Sequence, residues 1–82
     1  MGKTIHFKST PLNYRNEFLG LKRNTIRQCN EIEDIRFKLL ERFWNGLETN
    51  ISIEITNTES KESFRRQITN VTKFEGFYII SW

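Results

Sequence analysis

The alternation of apolar and polar residues between positions 50 and 57 constrains the fold most tightly. Ile51, Ile53 and Ile55 fall on one face of an extended strand, and the polar side chains between them fall on the other. A strand of this pattern buries one face and needs other elements packed against it. Residues 3–8 alternate in the same way and predict a second half-buried strand.

Two helices are predicted between these strands. Thr10 is suited to the N-cap of the first helix, Pro11 to its first position, and Gly20 to its end. The second helix is predicted over residues 31–45, with Asn30 as its N-cap. The apolar face of this second helix is formed by residues at helical spacing: Ile32, Ile35, Leu39 and Phe43.

The last third of the chain predicts further strands. Residues 63–72 are expected to pair with 50–57 as a hairpin after a polar loop over 58–62. Residues 73–76 predict a turn. Residues 77–82 are apolar on both faces, which is typical of a central strand.

The predicted strand over residues 63–72 changes phase along its length. Phe64 and Ile68 share one parity, but Val71 has the other. A bulge near Arg65 and Arg66 would account for the change of face and would redirect both side chains.

The chain length of 82 residues is typical of a single domain over residues 1–82. The aromatic share of 13% supplies enough large side chains for a small core. The mixture of helix and strand patterns indicates the α+β class.

Residues 20–27, Gly-Leu-Lys-Arg-Asn-Thr-Ile-Arg, hold the most distinctive chemistry of the chain. If the strand predicted here begins near Thr25, then Thr25 and Arg27 share one face and Ile26 takes the other. We expect Ile26 to enter the core. Thr25 and Arg27 would then line an open face with Lys22, a cluster suited to an anionic or carbonyl-bearing ligand. The alternative is an ordinary solvated basic turn.

These eight residues resemble the Gly-x-Lys-x-x-(Glu/Thr)-x-Arg signature of ASCH domains, small β-barrels of the PUA-like superfamily. The order of elements is similar too, because that signature follows a first strand and a first helix. The resemblance implies a PUA-like barrel, or a strongly curved antiparallel sheet, with two helices. The Lys-x-x-Thr-x-Arg form resembles bacterial members that hydrolyse N4-acetylcytidine, and small phage-encoded members. ASCH domains continue with a strand where residues 31–45 favour a helix.

Recognition of RNA or of a modified nucleoside is the function that the chain favours first. Residues 1–29 hold six basic residues against one acidic, and residues 63–82 hold three against one, which predicts a basic surface. The residues expected to bind the ligand are Lys22, Arg23, Thr25, Arg27, Arg65 and Arg66. The aromatic residues considered for stacking on a base are Tyr14, Tyr78 and Trp82.

An amidohydrolase is the second function considered. In the hydrolases that the motif resembles, the catalytic lysine and threonine match Lys22 and Thr25. A neutral lysine can take the proton of a threonine hydroxyl, which then attacks an amide carbonyl. These enzymes also use a glutamate, and the candidates by region alone are Glu54, Glu62 and Glu75.

A third hypothesis is a small phage-encoded protein that binds and inhibits a host protein. Residues 30–62 hold eight acidic residues against four basic. The contact surface would be the acidic side of the second helix, formed by Glu31, Glu33, Asp34 and Glu41.

The remaining residues predict neither a metal site nor a cofactor. Cys29 and His6 are each the only residue of their kind, so no Cys/His ligand set can form within the chain. No apolar run approaches the roughly 20 residues of a membrane span. A single cysteine allows no disulfide within the chain, which favours a reducing cytoplasm. The first residues also lack the apolar segment of a signal peptide.

Overall fold

The structure is a computed structural model that describes residues 2–28 and 34–82. Within these residues the chain forms two helices and six strands. In chain order they are β1 (Lys3–Ser9), α1 (Pro11–Phe18), β2 (Asn24–Gln28), α2 (Ile35–Trp44), β3 (Ile51–Asn57), β4 (Ser63–Gln67), β5 (Asn70–Phe74) and β6 (Phe77–Ser81). The predicted α+β class with two helices is confirmed.

The strands form two three-stranded sheets, in the orders β1-β3-β4 and β2-β6-β5. The strand pairing of the described residues does not close into a barrel, so the barrel expectation is not met. The first sheet is also mixed, because β1 and β3 run parallel while β3 and β4 run antiparallel. The chain between β1 and β3 includes α1, β2 and α2, and such a crossover can bring a strand back in the same direction.

The core lies between the two sheets and under α2, and its centre is β3. Ile51, Ile53 and Ile55 are fully buried, as their alternation predicts. Ile5 of β1, in the first sheet, and Ile80 of β6, in the second sheet, are buried in the same apolar cluster. The hairpin between β3 and β4 is confirmed, with the polar loop at 58–62.

The predicted strand over residues 63–72 is two strands in two different sheets. The Ile68 N–H donates to the Ile51 oxygen in the first sheet, and the Thr69 N–H donates to the Ser81 oxygen in the second. The chain therefore crosses between the sheets at Ile68–Thr69, and this crossing produces the change of phase. The predicted bulge near Arg65 and Arg66 is wrong, because β4 keeps a regular register with β3 through both residues.

Both helices are present, with differences in detail. The first helix begins after Thr10 with Pro11 at its first turn, and Gly20 follows it with a positive φ of 77°. The second helix begins at Ile35, and the carboxylate of its N-cap, Asp34, accepts a hydrogen bond from the Arg36 N–H at 2.9 Å. The predicted cap Asn30, with Cys29, Glu31, Ile32 and Glu33, lies outside the described residues.

The second helix buries a different face from the predicted one. Phe37 and Leu40 are its buried residues, and Ile35 is exposed. Leu39 and Phe43 pack only partly against the core. The sequence spacing identified the helix, but it assigned the wrong angular position to the face that contacts the strands.

Candidate functional site

The motif at residues 20–27 forms the turn after α1 and the strand β2. Its strand assignment is confirmed, but the prediction that Ile26 enters the core is wrong. Thr25 is buried, at 3% exposed, whereas Ile26 is 59% exposed. Thr25 lies opposite Ile80 in the antiparallel pair. Because cross-strand partners share a face, the inward Ile80 of β6 sets the direction of Thr25.

The guanidinium of Arg27 is held by three hydrogen bonds. Its Nε donates to Thr25 Oγ1 at 3.0 Å, its Nη1 to the Lys8 main-chain oxygen at 2.8 Å, and its Nη2 to Ser9 Oγ at 2.9 Å. Burial lowers the pKa of Arg27, while the negative charge of Glu17 acts in the opposite direction. An arginine nonetheless stays protonated at neutral pH. Arg27 therefore fixes the geometry of the site, and two of its five N–H groups remain for a ligand.

Two arginines also connect the open edge of β1 to the rest of the molecule. The main-chain oxygen of His6 accepts from Arg36 Nη1 at 2.9 Å, next to the contact of Arg27 with Lys8. The guanidinium carbons of Arg27 and Arg36 lie 4.9 and 4.5 Å from the centre of the Phe7 ring. Side chains thus join β1 to β2 and α2 where a barrel would have a ladder of backbone hydrogen bonds. We call these contacts the arginine junction.

Glu17 is the residue of this region that sequence reasoning missed. It lies on α1, is only 1% exposed, and accepts a hydrogen bond from Ser9 Oγ through Oε1 at 2.8 Å. Its other oxygen, Oε2, is buried and has no hydrogen-bond partner in the described part of the chain. Native structures rarely leave a buried carboxylate oxygen unpaired, and functional sites are among the exceptions. The available signal was that Glu17 is the only acidic residue among the first 29.

These side chains meet in a cavity of about 230 Å³ between the end of β1, α1 and β2. Glu17, Lys22, Thr25 and Arg27 all line it, and we call it the Lys22 cavity. Lys22 is half-buried, and its ammonium makes no hydrogen bond or ion pair with residues 2–28 or 34–82. The cavity is thus lined by a lysine, a hydroxyl, a fixed guanidinium and a buried glutamate, and among the described residues neither the lysine ammonium nor one of the glutamate oxygens has a partner.

The other predicted basic residues divide between two faces. Arg23 and Arg66 line a separate groove of about 320 Å³, which also contacts Glu17, Phe18 and Trp82. We call it the Arg66 groove.

Arg65 lies on the opposite face of β4 from Arg66. Its Nη2 is 3.9 Å from a carboxylate oxygen of Glu54, its partner across the β3–β4 pair. Arg65 lines neither the Lys22 cavity nor the Arg66 groove. The sequence predicted that Arg65 and Arg66 bind the same ligand, but their alternation along β4 places them on opposite faces of the strand.

The three glutamates proposed by region do not line the Lys22 cavity. Glu54 faces His6 instead, with 2.7 Å between the carboxylate and Nδ1. Glu62 lies at the end of the β3–β4 loop, and Glu75 occupies the turn between β5 and β6 with a φ of 46°. Glu17 is the acidic residue that the fold brings to Lys22 and Thr25.

The aromatic residues considered for base stacking differ in exposure. Tyr14 and Tyr78 are buried in the core, and burial raises the pKa of Tyr14. Trp82 is half-buried and packs edge-on to Phe64. Phe18, which sequence reasoning did not consider for stacking, is 49% exposed.

The acidic side of α2 is partly neutralised by cations of the protein itself. Asp34 pairs with Arg36 at 2.6 Å, and this contact holds the pKa of Asp34 below its usual range. Glu41 lies 3.5 Å from the ammonium of Lys73. The other two members of that predicted surface, Glu31 and Glu33, are outside the described residues.

The residues that the structure describes hold no cluster of three or more His, Cys, Asp or Glu side chains that could bind a metal ion. No helix among them has the length and apolar character needed to span a membrane. Comparisons with known protein families, with curated proteins and with solved structures find no match.

Proposed function

We propose that this protein recognises RNA or a modified nucleoside by taking one base into the Lys22 cavity. The observation that carries the proposal is that Lys22, Thr25, Arg27 and Glu17 line one cavity, and that Oε2 of Glu17 is buried without a hydrogen-bond partner among the described residues. A site that offers both donors and an acceptor is suited to the edge of a base, which carries both kinds of group.

The chemistry of the four groups supports a base rather than a simple anion. Lys22 can donate to a carbonyl oxygen, and Glu17 can accept from an exocyclic amine or a ring N–H. A simple anion would be repelled by the carboxylate of Glu17. The cavity volume of about 230 Å³ lies below the roughly 300–1,000 Å³ typical of sites for drug-sized ligands, so a single base is the fitting occupant.

We also propose that the domain is a PUA-like protein of the ASCH type with a cytoplasmic location. The motif at residues 20–27, which spans the turn after α1 and most of β2, supports the family assignment. The two sheets would then correspond to a barrel opened along one side and joined by the arginine junction.

Nucleoside binding tests the proposal most directly. Titration of the protein with cytidine and with N4-acetylcytidine, followed by NMR shifts, should show saturable changes at residues 22–27. Lys22→Ala should weaken binding about tenfold or more, since it removes a charged donor. Lys3→Ala removes the same charge at the opposite end of β1 and serves as the control. Equal effects of the two substitutions, or no saturable shifts for either nucleoside, would refute the proposal.

An amidohydrolase is the second candidate function, because Lys22, Thr25 and Glu17 share one cavity. Lys22 would act as the base that takes the proton of the Thr25 hydroxyl as Oγ1 attacks the amide carbon. The amine would leave with a proton, and water would then hydrolyse the acyl ester to a carboxylic acid. The Arg27 Nε–H, 3.0 Å from Thr25 Oγ1, supports negative charge on that oxygen.

Deacetylation of N4-acetylcytidine, measured by the release of acetate, separates the two candidates. Hydrolysis predicts turnover that disappears in Thr25→Val, which keeps the shape of the side chain and removes the nucleophile. Recognition alone predicts binding of the same nucleoside without acetate release.

A further inference from the structure

A second site lies beside the Lys22 cavity, in the Arg66 groove. Arg23 and Arg66 supply two cations to this groove, and Phe18 and Trp82 supply aromatic surface. Glu17 lines both spaces, so the groove and the cavity are adjacent.

Arg66 and Arg23 each have close neighbours beside the groove. The Arg66 guanidinium carbon lies 5.0 Å from the centre of the Phe64 ring, and Arg66 Nη1 donates to the Arg65 oxygen at 2.8 Å. The Nε of Arg23 lies 3.8 Å from the place where a Cβ would stand on Gly20. The main-chain N–H of Trp82 donates to the main-chain oxygen of Arg23 at 3.0 Å, and this bond holds the backbone of the two residues together.

Neither Arg23 nor Arg66 has a carboxylate within ion-pair distance in the described part of the chain. This contrasts with Arg65, whose Nη2 is 3.9 Å from Glu54, and with Arg42, whose Nε is 3.5 Å from Glu48. The two cations that face the groove are thus available to an anion from outside. Planar guanidinium groups bind phosphate in a bidentate manner, which makes arginine suited to this ligand.

Glu17 separates the two sites by charge. Its carboxylate lines both spaces and disfavours a phosphate at their boundary, and a carboxylate oxygen can accept a hydrogen bond from an N–H donor. The arrangement therefore suits a ligand with a donor-bearing base in the cavity and a phosphate in the groove. A single-stranded polynucleotide carries these two groups next to each other.

We propose that the Arg66 groove binds the backbone phosphate flanking the recognised base, so that the natural ligand is an RNA strand rather than a free nucleoside. This inference rests on the proposed function of the Lys22 cavity. The ring of Phe18 stacks on Tyr14 and packs edge-on to Phe64, and it is 49% exposed, so it offers aromatic surface to the neighbouring base.

The test compares a fluorescein-labelled single-stranded RNA hexamer with free N4-acetylcytidine as ligands. Arg66→Ala should weaken hexamer binding about tenfold, as expected for one charge-assisted phosphate contact, and leave nucleoside binding unchanged. Arg65→Ala, the adjacent residue on the other face of β4, is the matched control and should change neither. The double variant Arg23→Ala/Arg66→Ala should reduce the slope of log Kd against log salt by about 0.7, since the groove neutralises one phosphate of the single strand.

The outcomes distinguish this inference from the proposed function. Equal weakening by Arg66→Ala and Arg65→Ala, or a hexamer that binds no more tightly than the nucleoside, overturns the phosphate site and leaves the Lys22 cavity standing. Hexamer binding that needs Arg66 but not Lys22 supports the phosphate site and overturns the base cavity. A wild-type protein that binds neither ligand overturns both and favours a protein partner. Arg65 and Arg66 of β4 are exposed, so we expect their substitution to leave the protein folded. Circular dichroism of each variant checks this.

Discussion

Strand β3 and the arginine junction show two different ways of joining elements in one small domain. β3 lies between β1 and β4, with a ladder of backbone hydrogen bonds on each side and three fully buried isoleucines facing the core. At the arginine junction, guanidinium groups replace the ladder and donate to the main-chain oxygens of His6 and Lys8. Beside it, Glu17 is buried, and one of its oxygens has no hydrogen-bond partner within residues 2–28 and 34–82.

The side chains of the two regions differ in what they contribute to the stability of the fold and in what they offer to a polar ligand. A buried apolar side chain stabilises the fold through the area that it removes from water, and it offers nothing to a polar ligand. A buried carboxylate without a partner lowers stability, and a ligand that supplies the missing donor relieves that cost. Substitutions should therefore lower the stability of the fold most at β3, less at the arginine junction and least at Glu17, and four experiments examine this contrast.

The largest expected effect is at the centre of β3. Ile53→Ala should lower the free energy of unfolding by about 2–5 kcal/mol, because it leaves a cavity among fully buried side chains. Urea denaturation measures the loss. Ile26→Ala is the control, since it removes the same atoms from an exposed position on β2 and should cost less than about 1 kcal/mol. A small loss for Ile53→Ala would contradict the assignment of β3 as the structural centre.

The next largest effect is expected at the arginine junction itself. Arg27→Lys keeps the charge but cannot reach Thr25, Lys8 and Ser9 together, because an ammonium lacks the planar fork of a guanidinium. We expect a loss of about 1.5–3 kcal/mol, as for lost hydrogen bonds to a charged group. Arg23→Lys, at an exposed residue without these contacts, should change stability by less than about 0.5 kcal/mol. Full stability in Arg27→Lys would show that the junction does not hold β1.

The local features of both regions could be predicted from the sequence. Alternation identified β1 and β3, Pro11 and Gly20 bounded α1, and the motif identified the start of β2. These signals depend on neighbours within a few residues, where backbone preferences and side-chain periodicity act directly.

The features that sequence reasoning missed depend on contacts between distant elements. Ile26 points outward because β6 sets the parity of β2, and the parallel pairing of β1 with β3 follows from the crossover. The crossing at Ile68–Thr69 looked like a bulge because a change of sheet and a change of phase leave the same pattern. Glu17 looked like an ordinary helix-surface residue, since its burial depends on Ser9 and on the chain around Arg27.

A smaller effect, dependent on pH, is expected at the start of α2. The hydrogen bonds from Arg36 lower the pKa of Asp34 in the folded state. A lowered folded pKa gives stability that is present above the unfolded value, about 3.9, and is lost as the pH falls through the folded value. Asp34→Asn keeps an N-cap acceptor and removes the charge.

Urea midpoints measured from pH 2 to pH 7 check this behaviour. Asp34→Asn should be less stable than the wild type by about 0.5–1 kcal/mol at pH 7, the scale of a partly exposed ion pair. The difference should narrow below pH 4 and vanish near pH 2. A constant difference across this range would show that the charge of Asp34 has no part in capping α2.

The smallest change in stability, and the sharpest test of the contrast, is expected for Glu17→Gln. The amide oxygen can still accept the hydrogen bond from Ser9. The substitution also removes a buried charge whose Oε2 has no partner in the part of the chain that the structure describes. Stability should therefore stay within about 1 kcal/mol of the wild type, while binding of N4-acetylcytidine weakens because the acceptor in the Lys22 cavity is lost. Glu17→Ala, which also leaves the Ser9 hydroxyl without its acceptor, should cost about 1–3 kcal/mol. If Glu17→Gln instead loses as much stability as Arg27→Lys, then the carboxylate serves as the counter-charge of Arg27. Glu17 and Arg27 would then stabilise the fold, as the buried isoleucines of β3 do.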